Sequence, residues 1–265
     1  MPEWFDVLIL ALIEGITEFL PISSTGHMLL AQNWLAHKQS ELFLAVVQSG
    51  AVLAVLLVFT ARVKEMLLNW RDRETQQYIA KLGAAFLLTA IGGIILKKMH
   101  FHLQKNAVPI ALATLVGGIL IIWVESALRG RKLLDTVTWP VALAIGAAQL
   151  LAVIFPGASR SGTTIIMAMA LGIARRPATE FSFLLGIPTL LAAGANEILS
   201  AVRHPETAEA VNWGMIAFGT LVAAITAFIA VKWLLRYVQS HTFTPFGWYR
   251  IALGVVILLL VRFHG

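Results

Sequence analysis

Apolar residues run through this chain in ten stretches, near 3–20, 26–37, 42–61, 79–96, 107–128, 137–155, 163–174, 179–202, 211–235 and 244–263, divided by charged residues, Pro or Gly. Six of them are long enough to cross a bilayer as helices. At a rise of about 1.5 Å per residue, 26–37 and 163–174 reach roughly 18 Å, well short of the roughly 30 Å hydrocarbon core, so each must turn back or stop halfway. Each also follows a helix that ends at a Pro and a polar loop, Pro21 to Gly26 in one case and Pro156 to Gly162 in the other. The pattern predicts an all-α integral membrane fold of six transmembrane helices and two re-entrant helical hairpins, with broken backbone at membrane depth because it lines a site.

The two hairpins look like copies. Aligning Pro21 with Pro156 sets Ser24 on Ser159 and Glu14 on Gln149; further on, 43–47 weakly matches 181–185 and 110–112 matches 251–253, for a repeat of about 135 to 141 residues. With one hairpin and three spans per copy, the second copy is inverted, dividing a single membrane domain into halves of approximately 1–132 and 133–265. Both polar loops then meet near the bilayer midplane. Basic residues set the orientation. One side carries Arg62, Lys64, Arg71, Arg73, Lys81, Arg129, Arg131, Lys132, Arg175, Arg176, Lys232 and Arg236; the other carries Lys38, Lys97, Lys98, Lys105, Arg203 and Arg262. This bias makes the first side cytoplasmic and puts both termini outside. Trp34, Trp139, Trp213 and Trp248 fall near helix boundaries, where the ring favours the headgroup level, whereas Trp123 falls inside a span and reads as packing.

Composition narrows the class. The 265 residues are 58% hydrophobic and 13% charged, with a mean hydropathy of +0.81, more apolar surface than a water-soluble domain can hide. The net charge of +6 sits mostly in loops between apolar stretches, where topology and anionic headgroups account for it, so nucleic acid is not the expected partner. Membrane lipid is. The absence of cysteine excludes disulfides, thiolate metal sites and a Cys nucleophile. The first basic residue is Lys38, so no positively charged segment precedes the first apolar run and no cleavable signal peptide is expected.

The densest polar cluster within apolar sequence runs from Glu14 to His27. Glu14 and Glu18 are four apart on one helix face, a like-charge pair that needs a shared proton, a divalent cation or Arg160 to bridge it, unless it is an interfacial or structural pair. Ser23, Ser24, Thr25 and Gly26 open the short second helix, where unpaired N–H groups and the helix dipole favour an anion; an ordinary Ser/Thr cap is the plainer reading. The second copy repeats the arrangement with Ser159, Ser161, Gly162, Thr163 and Thr164 and adds Arg160, whose guanidinium can grip phosphate oxygens or pair with Glu14 or Glu18. His27, three residues past Ser24, is a candidate acid, base or nucleophile. The remaining histidines fall at segment ends or in loops. Gln48 and Glu180 could support the site or bond between helices.

The stretch Glu14 to His27, together with Pro156 to Thr164, resembles the two signature motifs of the bacterial undecaprenyl-pyrophosphate phosphatases of the bacitracin-resistance type. Further likeness lies in Val47 to Gly50, Glu180 to Leu185 and Pro245 to Arg250. The resemblance implies a hydrolase of the inner membrane that removes the terminal phosphate of a C55 prenyl diphosphate and recycles the lipid carrier for peptidoglycan, at an outward-facing site. It implies Glu14, Glu18, His27 and Arg160 as functional residues, with Ser24, Thr25, Ser159 and Ser161 as phosphate-contacting or nucleophile candidates, and a divalent cation, Mg2+ or Ca2+, which Glu14 and Glu18 could hold. The nucleophile stays open between water, Ser24 and His27, and a homo-oligomer is compatible. Acid-phosphatase-like lipid phosphatases do not fit, since they need a second His soon after the Ser-Arg pair and the next here is His204. A prenyl-phosphate transporter or flippase is the rival, because inverted repeats with broken helices are transporter architecture.

Overall fold

The computed structural model describes residues 2–35, 37, 39–99, 101, 106–203 and 212–264. Eleven helices run through them: α1 (Glu3–Thr17), α2 (Ser24–Trp34), α3 (Glu41–Val58), α4 (Thr60–Leu68), α5 (Arg73–Lys98), α6 (Ala107–Ala127), α7 (Trp139–Ile154), α8 (Arg160–Ala170), α9 (Arg175–Arg203), α10 (Trp213–Tyr237) and α11 (Thr244–His264). Side chains cap several of their starts, Ser40 accepting from the Phe43 N–H, Asp72 from the Glu74 and Thr75 N–H groups and Asn212 from that of Met215. Six helices, α3, α5, α6, α9, α10 and α11, are long and apolar enough to cross a membrane. The span expected over 42–61 is α3, which ends at Val58 with Phe59 as its C-cap; the short α4, with Arg62 and Lys64, follows it.

Close approach between helices runs through small residues. Gly118 of α6 faces the Gly247 carbonyl of α11, and Gly254 of α11 faces that of Ala111. Gly15 of α1 lies on Ala223 and Thr226 of α10, and Gly146 of α7 lies on the backbone of Ala85 in α5. In an apolar surround, where helices gain nothing by hiding hydrocarbon from hydrocarbon, such backbone proximity supplies the packing. The outward faces are apolar: Leu87, Ile91 and Ile94 on α5 and Val116, Ile119, Leu120 and Trp123 on α6 are all exposed. Trp123, expected as packing, is 63% exposed.

The segments rich in basic residues converge at one end. Arg62, Asp72, Tyr78, Lys81, Asp135, Pro177 and Glu180 line a single cavity of about 250 Å3 there, with Glu180 held by Arg176 at 2.9 Å. Glu180 therefore belongs to that end and supports the bundle there. Lys38 and Lys105 lie outside the described residues, as do His100, His102 and His204.

Candidate active site

Both short helices α2 and α8 begin on a serine with left-handed backbone. Ser23 has φ 72° and its Oγ accepts from the Gly26 N–H; Ser159 has φ 68° and its Oγ accepts from the Gly162 N–H. A non-glycine residue in that region is uncommon and costs energy, so two at matching positions mark a constrained site. The pairing corrects the register read from the two prolines. Ser23, not Ser24, stands where Ser159 stands, because the second loop has one residue more between Pro156 and its cap, with Gly157 at φ 95°. Ser24 consequently corresponds to Arg160, each the first residue of its helix.

Those two residues reach the same carboxylate. Ser24 Oγ donates to Glu18 Oε2 at 2.8 Å, and Arg160 Nη2 donates to Glu18 Oε1 at 3.3 Å across 142 residues of sequence. Gln48 Nε2 adds a bond to Glu18 Oε2 at 2.9 Å from α3. Glu14 lies against Glu18 with Gln48 beside both, and its Oε1 is buried without a hydrogen-bond partner. Arg160 has spent one nitrogen: Nε and Nη1 are buried and unpaired, its guanidinium carbon lies 5.4 Å from the Phe19 ring centre, and Gly186 of α9 leaves the room it occupies. Buried polar atoms without partners are rare in folded proteins. Here Glu14 Oε1 and two guanidinium nitrogens of Arg160 are left unpaired beside the Glu18 carboxylate, next to the N-termini of α2 and α8.

The other candidates divide by role. Ser161 is fully buried and ties the loops together, donating to the Glu18 and Leu20 carbonyls at 3.3 and 3.1 Å, while Ser159 Oγ lies 3.2 Å from it. Thr164 is fully buried and bonds back to the Arg160 and Ser161 carbonyls within α8, as Thr163 does to Arg160. Thr25 is half-buried in the first turn of α2, and Gly26 and Gly162 sit at the third helical position of α2 and α8. His27 has no hydrogen bond to Glu14, Glu18 or Ser24 among the described residues. Its Nδ1 is 2.8 Å from the Ser23 carbonyl and its Nε2 is 2.6 Å from the Tyr249 hydroxyl. Of the other histidines, His37 holds the buried Asp6 at 2.8 Å through Nδ1, and His241 stacks on Tyr237.

One residue that builds the site escaped sequence reasoning. Arg250 of α11 is 1% exposed. It donates to five carbonyls: Thr114 and Ala113 on α6, Pro21 in the first broken loop and Gly157 and Ala158 in the second, at 2.9 to 3.4 Å. No carboxylate pairs with it among the described residues. Thr114 lies against the same tie: its hydroxyl donates to the Ile110 carbonyl at 2.7 Å, with Ser23 Oγ and the Gly157 carbonyl each 3.3 Å away. The signal available in sequence was a lone Arg in an apolar helix, which carries no hint of which backbone it will clamp.

The site holds oxygen donors, one cation aimed at it, and the positive ends of two helices, an arrangement suited to a phosphorylated ligand. The family described as bacitracin resistance protein BacA matches residues 7–256. A protein named undecaprenyl-diphosphatase from Rhizobium johnstonii is 48% identical over 97% of this chain and 96% of its own length. Proteins of the same name from Xylella fastidiosa and Xanthomonas oryzae pv. oryzae are 44% and 41% identical, over 97% and 98% of this chain and 98% and 97% of theirs. The match spans both broken segments and every helix that builds the site, and this chain belongs to the bacitracin resistance protein BacA family.

Proposed function

We propose that this protein is an undecaprenyl-diphosphatase: a membrane hydrolase that removes the terminal phosphate of a C55 prenyl diphosphate, returning undecaprenyl phosphate as the lipid carrier of peptidoglycan synthesis and thereby conferring bacitracin resistance. The observation that carries it is Arg160, held by Glu18 through one nitrogen with two more unpaired and buried between two helix N-termini. A planar guanidinium so placed grips phosphate oxygens through parallel bonds and stabilises the charge that develops during transfer. The full-length relatives that carry this name support the substrate class.

In this reading α1 and α2, and α7 and α8, are two re-entrant hairpins of an inverted repeat. Matched packing supports it: α1 lies on α10 as α7 lies on α5, and α2 on α11 as α8 on α6. The prenyl tail enters sideways from lipid, and the phosphates lie on Arg160 and the N–H groups that open α2 and α8. Ser24, donating to Glu18 at 2.8 Å, is a hydroxyl beside a carboxylate that can take its proton, the geometry of an activated nucleophile. His27 manages protons at the same mouth. Glu14 and Glu18 would hold a divalent cation, Mg2+ or Ca2+, because both are hard carboxylates and Glu14 Oε1 lacks a hydrogen-bond partner, while Glu18 would exchange a bond to Ser24, Gln48 or Arg160 for it. When bound, such a cation supplies positive charge against two carboxylates and a diphosphate.

Phosphate release from undecaprenyl diphosphate by detergent-purified protein, with no membrane and no gradient, tests the activity. Turnover is expected; none, alongside movement of prenyl phosphate in vesicles, would give the site to a transporter. The basic bias supports an orientation with both termini and the site mouth outside. A single cysteine at Asn212 should label with an impermeant thiol reagent in intact cells and one at Asp72 should not; the reverse overturns the orientation.

A further inference from the structure

Tyr249 lies in the stretch Pro245 to Arg250, to which the sequence attaches no chemistry, yet it is the side-chain partner of His27. A carbonyl oxygen only accepts, so the 2.8 Å contact with the Ser23 carbonyl requires His27 Nδ1 to carry the proton. Neutral imidazole then has its lone pair on Nε2, and the Tyr249 hydroxyl, 2.6 Å away, donates to it. The rings lie 6° from parallel with centres 5.5 Å apart. Both residues are firmly held. Ser23 is the left-handed cap of α2, Gly26 seats α2 on Leu253 and Ile257 of α11, and Arg250, the residue after Tyr249, is fastened to both broken loops.

Neither ring nitrogen is free. The Nδ1 partner is backbone and fixed by the cap, so any proton that His27 exchanges with the site passes at Nε2. The Tyr249 hydroxyl can give its proton to Nε2 and accept another at its own oxygen. We propose that Tyr249 is a positioning residue for His27: its hydroxyl holds the imidazole in one tautomer and one orientation, and it is the group through which Nε2 exchanges protons during turnover. This rests on His27 taking part in the reaction.

Three variants separate the two ideas, measured as phosphate release from undecaprenyl diphosphate by purified protein, with melting temperature in detergent alongside. His27→Asn should lose about a hundredfold or more in kcat, as expected for a general acid or base. Tyr249→Phe keeps the ring against the imidazole and deletes only the hydroxyl. Its kcat should fall roughly three- to tenfold, the worth of one hydrogen bond, with KM and melting temperature unchanged. In the His27→Asn background the same change should cost nothing further, because a residue that acts through another has no effect once that other is gone. Wild-type kcat in Tyr249→Phe, or an equal loss repeated in the His27→Asn background, would overturn the assignment of Tyr249. His27→Asn with near-normal turnover would instead remove His27 from the mechanism, and Tyr249 with it.

Discussion

The two broken segments share a backbone plan and differ in charge. Each starts a short helix from a left-handed serine whose hydroxyl accepts from a glycine N–H three residues on. The first helix nevertheless opens with Ser24 and is preceded by Glu14 and Glu18, whereas the second opens with Arg160 and is preceded by no carboxylate in α7. One fold element, used twice, thus supplies the acids from one copy and the cation from the other. The contrast shows why neither copy is a site alone: Glu18 gathers Ser24 from its own segment and Arg160 from the other, and Ser161 and Arg250 bind the two loops into one unit.

The largest test of this division is Arg160→Lys, which keeps the charge and loses the planar fork. Turnover should fall about a hundred- to a thousandfold, as for loss of one well-placed charge-stabilising donor, while the protein stays folded because a lysine can still pair with Glu18. Turnover is read against melting temperature in detergent; a stable variant with near-normal turnover would reduce Arg160 to a structural partner.

The acidic side is tested by exhaustive chelation. Two adjoining carboxylates and a diphosphate accumulate negative charge in a medium of low dielectric, so turnover should drop at least about tenfold and return on adding Mg2+ or Ca2+. Full activity after chelation would leave Arg160 as the neutralising group.

The matched glycines offer a smaller effect with a direction. A Cβ at Gly162 would stand 2.8 Å from Arg250 Nη1 and 3.2 Å from Ser159, whereas one at Gly26 would find its nearest atom at 3.3 Å. Gly162→Ala should therefore cost about 1–3 kcal/mol in stability, since Arg250 is fixed by its five carbonyls, and Gly26→Ala about 1 kcal/mol or less. Equal melting temperatures for the two would mean the Arg250 clamp is looser than its bonds suggest.

The smallest effect lies at the caps. Ser23→Ala and Ser159→Ala should each cost about 1 kcal/mol, whereas Ser→Gly at either position should cost only a few tenths, because glycine adopts positive φ freely and serine does not. Alanine and glycine behaving alike would show that the left-handed backbone contributes no strain.

Much of this was legible in sequence because bilayers impose long-range order on local composition. A run of roughly twenty apolar residues must be a helix, a shorter one that follows Pro and hydroxyls must turn back or stop halfway, and an acid inside such a run needs a reason to stay. Those rules alone locate the six long helices, both broken segments and Glu14, Glu18, Ser24 and Arg160. They leave Gln48 between supporting the site and bonding between helices; in the structure it donates to Glu18 from α3. The register of the repeat was misread by one residue because proline is easy to see and a positive φ is not.

What the sequence determined by itself is the set of groups, since their cost in an apolar run depends on near neighbours. Tertiary structure alone decided which groups meet. Glu18 and Arg160 are 142 positions apart, Arg250 reaches carbonyls of three separate segments, and His27 turns to Tyr249 rather than to the acids. Such pairings follow from how α1, α2, α8 and α11 pack, and backbone carbonyls, the partners of Arg250 and His27 Nδ1, are the same at every position in a sequence.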